Sequence, residues 1–294
     1  NTLERMTGNQ RTELSSSPIT RLNIINLIAY TLNVLITYGI GVAGLFDLPT
    51  NGDLSRKYQT LVTPVGWAFS IWGLIFTFQL VWVIFQTVSK RNRNSEWISA
   101  IGMGYFRICV AQAAWTLAFS NEAIWLSLGF MVLILVFLVE AVLSLIPKQA
   151  SVGDYVLWKL PFTLHCGWIL AATVVNLNVV LVAEGFSTNI QFLSAVGSLA
   201  SLFLIGVITA WRHIDYVIPI VVAWALLGVY VELGSAAASI VISFERSQID
   251  QARYGAIIVS SALILATLVK GAFSLCQGRS DASTEESRYL RQDH

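Results

Sequence analysis

The sequence predicts an all-α integral membrane protein, and two observations lead to this prediction. Apolar residues make up 55% of the 294 residues, whereas charged residues make up only 12%. A soluble domain usually carries about twice that share of charge, so this composition could not cover a core with a water-facing shell. The chain also contains eight apolar stretches of about 20 residues or more, the length that crosses the hydrocarbon core of a bilayer.

The eight predicted spans follow one another with mostly short connections. They are expected at residues 22–46, 67–88, 98–119, 123–146, 158–183, 190–210, 216–244 and 254–275. The seventh is longer than one crossing requires, so it is expected to tilt or to end near Gly234. The first connection, residues 47–63, is long enough to fold over the mouth of a pocket. The polar segment 277–294 is expected to be a mobile tail.

The distribution of positive charge predicts the orientation of these spans. Most of the 18 Lys and Arg residues fall in the two terminal segments and in the second, fourth and sixth connections. With eight spans all of these lie on one side, and the positive-inside rule places that side in the cytoplasm or its equivalent. The chain begins with Asn1 rather than Met, so a removed targeting peptide is one interpretation. The sequence does not identify the organelle.

Composition and residue patterns argue against several functional classes. The net charge is +1, and no basic cluster indicates nucleic acid as a partner. Cys109, Cys166 and Cys276 all lie in apolar segments, so they are interpreted as small buried residues rather than as a disulfide framework or a zinc site. No nucleophile–base pair and no set of metal ligands recurs at helical spacing. The sequence therefore predicts no catalytic residue and no metal site, and it gives an enzyme little support.

The entry to the second span is unusually rich in aromatic residues. Pro64 suits the first turn of a helix, where its missing N–H had no partner. Trp67 and Trp72 are five residues apart, which separates them by roughly 140° around a helix, and Trp82 follows further along. A lipid-facing helix does not need three indoles, so this span is predicted to line an aromatic pocket. Alternatively, Trp67 is an anchor at the membrane interface.

Three motifs in the second, third and fifth spans carry a family resemblance. The second span has Pro64, Trp67, Phe69 and Trp72, and the third has Gln112-Ala-Ala-Trp115 followed by Phe119. The fifth has Pro161 and then Trp168-Ile-Leu-Ala-Ala172-Thr-Val-Val-Asn176. In order and spacing these motifs resemble the translocator protein or tryptophan-rich sensory protein (TspO) family, with Gln112 in place of the usual Asn. The chain is similar to an extended, eight-span relative of that family.

The resemblance implies a fold and a ligand class. It implies a five-helix transmembrane bundle over residues 22–183 with a ligand cavity beneath the first loop. Three additional helices over residues 184–276 and polar tails at 1–21 and 277–294 complete the chain. TspO proteins bind porphyrins and other tetrapyrroles, so a bound porphyrin, haem or chlorophyll is expected, with no covalent cofactor. The sterol motif of the family is not matched after Asn176.

The resemblance also names pocket residues, and the chemistry of other residues adds to them. The motif-matched candidates are Trp67, Trp72, Trp115, Trp168, Ala172 and Asn176. Indoles stack on flat macrocycles, and the amides of Gln112 and Asn176 could bond a carboxylate or a pyrrole edge. Arg107 could bind a propionate carboxylate or form a structural pair with Glu140. His165 could be an axial ligand of a tetrapyrrole metal or donate one hydrogen bond to a neighbouring helix.

Two functions follow from these expectations. The first is a membrane receptor, sensor or carrier that binds a planar hydrophobic ligand in a tryptophan-lined pocket. The alternative is an accessory structural subunit of a larger membrane complex, such as an energy-converting or photosynthetic one, with pigments or lipids between the helices. The expected partners are the ligand, the lipid bilayer, and either a second copy of the chain or a larger complex.

Overall fold

The computed structural model describes residues 18–89, 95–212 and 215–292. Every regular element in these ranges is a helix, so the predicted all-α fold is confirmed for the part of the chain that the structure describes. The long helices are α1 (Arg21–Gly39), α2 (Ile71–Val88), α3 (Gly104–Ser120), α4 (Ile124–Leu145), α5 (Leu160–Ala183), α6 (Thr188–Trp211), α7 (Val217–Glu232) and α8 (Arg246–Gln292).

Seven of these helices, all except α3, belong to segments that are long and apolar enough to cross a membrane. The exception, α3, has 17 residues, or about 25 Å at 1.5 Å per residue. The ion pair between Glu96, shortly before α3, and Lys148, just after α4, lies at one end of both helices. Glu122, in the turn between α3 and α4, lies at their other end. α3 therefore runs alongside α4 between the same two ends of the bundle. The protein is a multi-pass integral membrane protein.

The third predicted span, 98–119, is divided in the structure. Its first part is the short helix Glu96–Ile101, and Gly102 adopts a positive φ of 52° that ends this helix. Glycine accepts that conformation without a steric penalty. The division places Arg107 in the first turn of α3 rather than near the middle of a continuous span, which corrects the depth expected from the sequence.

The seventh and eighth predicted spans also differ in their ends. α7 ends at Glu232 and is followed by the 3₁₀ turn Leu233–Ser235 and the short helix Ala238–Ser243. The expected end near Gly234 is therefore confirmed. α8 begins earlier than expected, at Arg246, and continues to Gln292. The segment expected to be a mobile tail is thus a helical continuation of α8 over most of its length.

The first connection folds back over one end of the bundle. It contains a seven-residue loop helix, Asn51–Lys57, whose first turn is closed by reciprocal hydrogen bonds between Thr50 and Asp53. Such a capping box satisfies backbone N–H groups that have no partner within the helix. The Asn51 N–H donates to Gly41 O at 2.8 Å, so the loop helix is fixed against the end of α1. We call residues 48–63 the cap.

The three C-terminal helices pack into the same core as the first five. One continuous hydrophobic cluster includes residues from Ala29 on α1 to Leu263 on α8. α7 packs against α5 and also against the entry to α2. A methyl group on Gly228 would lie 2.9 Å from Ala68 Cβ and 3.0 Å from Pro64 Cβ. α7 therefore approaches the start of α2 as closely as a glycine permits.

Candidate functional site

A cavity of about 790 Å³ lies among the helices beneath the cap. Its walls come from the end of α1, the entry and first turns of α2, the end of α3, and the middle of α5. α4, α6 and α7 contribute Met131, Leu202, and the group Ala225, Leu226, Val229 and Glu232. The sequence had predicted a cavity confined to the first five spans. The cavity extends beyond them, because α7 packs directly against the entry to α2 and contributes to the wall.

Aromatic rings form the wall between α2 and α5. Trp72 stacks on Phe76 with ring centroids 5.4 Å apart and planes 22° apart. Trp168 meets Trp72 edge-on at 6.3 Å and Phe69 edge-on at 5.4 Å. Edge-to-face and offset pairs are the favoured arrangements of aromatic rings. The side chains thus hold one another in place while leaving ring surface on the cavity.

A second aromatic wall joins α3 to α5. Trp115 stacks on Phe119 at 5.2 Å, with planes 14° apart. The Trp115 Nε1–H donates to Asn176 Oδ1 at 3.3 Å, and the Asn176 amide also contacts Ser127 Oγ at 3.4 Å. Because Trp115 and Asn176 both line the cavity, this bond fixes an indole and an amide at adjacent positions of the wall.

The entry to α2 is irregular, and α7 stabilises it. Pro64 precedes a 3₁₀ turn, Gly66–Ser70, that leads into α2. The Val65 N–H donates to Gly228 O at 3.1 Å, and the Trp224 Nε1–H donates to Ala68 O at 3.0 Å. α7 therefore satisfies polar backbone groups at the entry, which in lipid would otherwise be costly to leave unpaired.

The mouth of the cavity is polar. Asn51, Arg56, Gln59 and Glu232 are among the lining residues at this end, whereas the deeper walls are largely apolar. Gln59 Nε2 donates to Glu232 Oε1 at 2.9 Å, which ties the cap to the end of α7. On the other side of the cap, Lys57 and Tyr58 donate to the Glu122 carboxylate in the turn between α3 and α4. The cap is thus attached to the bundle at two separate places.

Hydrogen bonds in and around the cap shift the pKa values of three charged side chains toward the ionised form. The hydrogen bond from Lys57 lowers the pKa of Glu122, and the same bond raises the pKa of Lys57. Hydrogen bonds from Thr50 lower the pKa of Asp53, to which Arg56 adds a smaller effect. Hydrogen bonds made to the ionised form of a group favour that form, so Asp53, Lys57 and Glu122 are charged over the neutral pH range.

Comparison with known proteins identifies the family. The family model of the TSPO-like protein matches residues 23–270. The chain belongs to the TSPO-like family. The match continues beyond residue 183, so it includes α6, α7 and most of the apolar part of α8 as well as the first five spans. Neither the curated proteins nor the solved structures contain a match to this chain.

Five of the predicted ligand residues line the cavity of this TSPO-like protein, and four do not. The five that line it are Trp72, Trp115, Trp168, Ala172 and Asn176. The four outside the cavity lining are Trp67, Gln112, Arg107 and His165. Trp67 is 40% exposed and meets Trp224 edge-on at 4.7 Å. It lies on the outer face of the entry to α2, the position expected for an interfacial anchor.

Arg107 does not face the interior of the bundle. Its guanidinium pairs with Glu140 Oε2 on α4 at 3.0 Å and lies over the Phe137 ring at 4.8 Å. The side chains of Arg107 and Glu140 are 46% and 50% exposed. The structural pair with Glu140 is therefore the observed arrangement, on an outer face of α3 and α4, and Arg107 has no access to the cavity.

His165 and Gln112 are buried among helices instead of facing the cavity. His165 Nδ1 lies 3.1 Å from Gln79 Nε2, and its ring meets Trp72 edge-on at 5.5 Å. The expected hydrogen bond to a neighbouring helix is therefore present, and His165 lies outside the cavity lining. Gln112 is 1% exposed, and neither side-chain amide atom has a hydrogen-bond partner among the described residues.

The structure adds cavity residues that the motifs did not indicate. Among them are Phe76, Met131, Leu202 and the four residues of α7 that line the wall. Periodicity alone could not separate the cavity face of α7 from its helix-packing faces, since almost every side chain of α7 is apolar. The described part of the chain holds no cluster of His, Cys, Asp and Glu suited to a metal ion. Cys109 and Cys166 are buried free thiols, but Cys276 is exposed, in contrast to the expectation.

Proposed function

We propose that this TSPO-like protein is a membrane receptor or carrier that binds a planar hydrophobic ligand in the cavity. The ligand class that the wall favours is a tetrapyrrole such as porphyrin, haem or chlorophyll. The observation that carries the proposal is the arrangement of Trp72, Trp115 and Trp168 around one space of about 790 Å³. That volume lies within the roughly 300–1,000 Å³ of typical small-molecule sites.

The cavity has different chemistry at its two ends, and this suits an amphipathic tetrapyrrole. The aromatic walls offer ring faces and edges, each contact contributing about 0.5–1.5 kcal/mol beyond the area buried. At the mouth, Arg56 and Asn51 supply donors for a carboxylate. Arg56 is paired with Asp53 at 2.6 Å, so a ligand carboxylate would share this cation with Asp53. Arg107, the other candidate for this role, lies on the outside of the bundle.

The ligand would be received, held and released without chemical change. The deeper walls contribute hydrocarbon, indole, amide and hydroxyl groups, and the two charged lining residues at the mouth, Arg56 and Glu232, are held by Asp53 and Gln59. The cap, attached by Gln59 to Glu232 and by Lys57 and Tyr58 to Glu122, would close the mouth over the ligand. Sensing, sequestration and transport share this binding step.

The test is a titration of tryptophan fluorescence with protoporphyrin IX. Wild type is compared with Trp168→Phe, which removes a cavity indole, and with Trp125→Phe. Trp125 is 60% exposed and bonds Glu184 outside the cavity, so it is the matched control. The proposal expects saturable quenching that Trp168→Phe weakens about 2–10-fold in affinity and that Trp125→Phe leaves unchanged. Absence of saturable quenching in folded wild type would contradict it.

A second candidate function, an accessory subunit of a larger membrane complex, is favoured by the ion pair on the outer face. Arg107 and Glu140 are about half exposed on α3 and α4, and charged side chains in membrane segments usually face protein or water because contact with lipid is unfavourable. A partner covering this face would remove that cost. Native electrophoresis of gently solubilised membranes distinguishes the two candidates. Migration within a much larger assembly supports the subunit, and migration as a monomer or dimer supports the free receptor.

A further inference from the structure

Polar side chains recur on one buried face of α1. Asn23, Asn26, Tyr30, Asn33 and Thr37 follow one another at intervals of three or four residues, and all five are buried. Such intervals place side chains on one face of a helix. The face is about 21 Å long at 1.5 Å per residue, so it crosses much of a hydrocarbon core that is about 30 Å thick.

Neighbouring helices turn further polar groups toward this region. Asn26 Nδ2 donates to Gln86 Oε1 at 3.2 Å, which joins α1 to α2. The Tyr105 hydroxyl donates to Gln79 Oε1 at 3.2 Å, and Gln79 Nε2 lies 3.1 Å from His165 Nδ1. These bonds connect α2 to α3 and α5. Interhelical hydrogen bonds of this kind hold membrane helices together, and for the bonded atoms that explanation is sufficient.

Other polar atoms in the same region need a further explanation. Among the described residues, no hydrogen-bond partner is present for Asn23 Nδ2, Asn26 Oδ1, Asn33 Nδ2, Gln86 Nε2, His165 Nε2 and both amide atoms of Gln112. Their residues are at most 2% exposed. Each unsatisfied buried group costs about 1–3 kcal/mol. Helix adhesion cannot account for so many, because adhesion requires the bonds to be made.

The unpartnered atoms lie on adjacent helices, and one of their residues is bonded to the cavity wall. α1 packs against α3, and the Asn33 and Gln112 amides on these two helices both carry unpartnered atoms. The Thr37 hydroxyl donates to Asn33 Oδ1 at 3.4 Å, and Thr37 belongs to the cavity wall. Asn23, at the other end, is bonded to Thr20 at the start of α1.

We propose that these side chains enclose a column of water molecules that runs from Asn23 at the start of α1 to Thr37 at the cavity wall. We call this the polar column. Buried waters typically make about three hydrogen bonds to polar groups that otherwise lack partners, and the amides of Asn33 and Gln112 provide such groups. The column gives water, and protons carried by water, access to the cavity from the side opposite the cap while the cap closes the mouth. It does not depend on the identity of the ligand.

Hydroxyl-radical footprinting by X-ray radiolysis tests the polar column in the full-length protein. Radicals form from water molecules and oxidise reactive side chains beside them. Tyr30, Tyr105 and Cys109 are buried, so a dry interior would leave them unmodified. The polar column predicts that all three are oxidised, with water-exposed Trp125 as the positive reference. Oxidation of Trp125 without oxidation of Tyr30 and Cys109 would overturn the proposal.

A double variant tests the position of the water. Asn33→Leu with Gln112→Met replaces both amides by apolar side chains of similar size. The column predicts a several-fold decrease in oxidation of Tyr30 and Cys109. Thr77→Val is the matched control, because Thr77 is exposed and its hydroxyl bonds only Gly73 O of its own helix. Unchanged oxidation in a double variant with wild-type helical circular dichroism would overturn the proposal. If the double variant does not fold, Gln112→Met alone is subject to the same prediction.

Discussion

Gln59 in the cap donates a hydrogen bond of 2.9 Å to Glu232 at the end of α7, 173 residues further along the chain. Both residues line the mouth of the cavity. A helix from the C-terminal part of the chain thus holds the segment that closes a cavity otherwise built mainly from the first five spans. α6 and α7 are therefore components of the cavity and its closure.

The second attachment of the cap can be tested by neutralising Glu122. Glu122→Gln removes the charge that binds Lys57, so backbone amides of residues 51–57 should exchange with deuterium faster than in wild type. Glu96→Gln is the matched control, because it breaks the ion pair with Lys148 at the opposite end of α4. Mass spectrometry of the exchanged protein measures both. Equal protection of residues 51–57 in wild type and Glu122→Gln would show that this carboxylate does not hold the cap.

The same attachment should depend on pH in a defined direction. The pKa of Glu122 is lowered by Lys57, so its stabilisation is present above the ordinary Glu pKa of about 4.3 and is lost as pH falls through the lowered value. The pKa of Lys57 is raised, so on the alkaline side stabilisation persists beyond the ordinary Lys range. Hydrogen exchange of residues 51–57, corrected for the intrinsic pH effect, should increase in acid. In Glu122→Gln this additional increase should be absent; its persistence would assign the acid response to another group.

The close approach of α7 to the entry of α2 predicts a large effect of a single methyl group. Gly228→Ala would place Cβ within 2.9 Å of Ala68 Cβ, and overpacking of this kind costs about 1–3 kcal/mol. We expect a clear decrease in thermal stability in detergent. Gly129→Ala in α4 is the control, because nothing lies within 4 Å of the added atom and Ala favours helix. A Gly228→Ala protein as stable as Gly129→Ala would contradict the packing described for α7.

The ion pair on the outer face should show strong coupling. Glu140→Met or Arg107→Met alone leaves one charge without its partner, and we expect lower yields of folded protein in the membrane. The double variant Arg107→Met with Glu140→Met removes both charges and should recover much of that loss, as replacing both partners of an ion pair often does. Fluorescence-detected size exclusion measures the folded yield. Additive losses in the double variant would indicate that the two charges act independently.

The sequence predicted the class of fold because hydrophobic length is a direct consequence of bilayer thickness. Trp72, Trp115, Trp168, Ala172 and Asn176, which the motifs indicated, all line the cavity, and their role in binding a ligand stays a prediction. The direction in which each side chain points was harder to predict from the sequence than the fold. For Arg107 the sequence left two alternatives, a ligand carboxylate or a pair with Glu140, and the structure shows the pair with Glu140 on the outer face.

The contribution of α7 was not predictable for a different reason. Its sequence is apolar on all sides, so no polar face distinguishes the wall of a cavity from a helix contact. The signal that could have indicated its position is Gly228, which permits contact with Pro64 and Ala68. A single glycine in an apolar span does not specify its partner.

The most direct test of the central claim is to fill the cavity. Ala172→Trp introduces a bulky side chain into the wall, and Ala272→Trp adds the same group to an exposed position of α8. Both are compared with wild type by equilibrium binding of protoporphyrin IX, followed by porphyrin absorbance after separation of free ligand. The account predicts one saturable site in wild type and Ala272→Trp, and at least about a tenfold loss of affinity in Ala172→Trp, which is about 1.4 kcal/mol. Equal binding by folded Ala172→Trp and wild type would show that the porphyrin binds elsewhere.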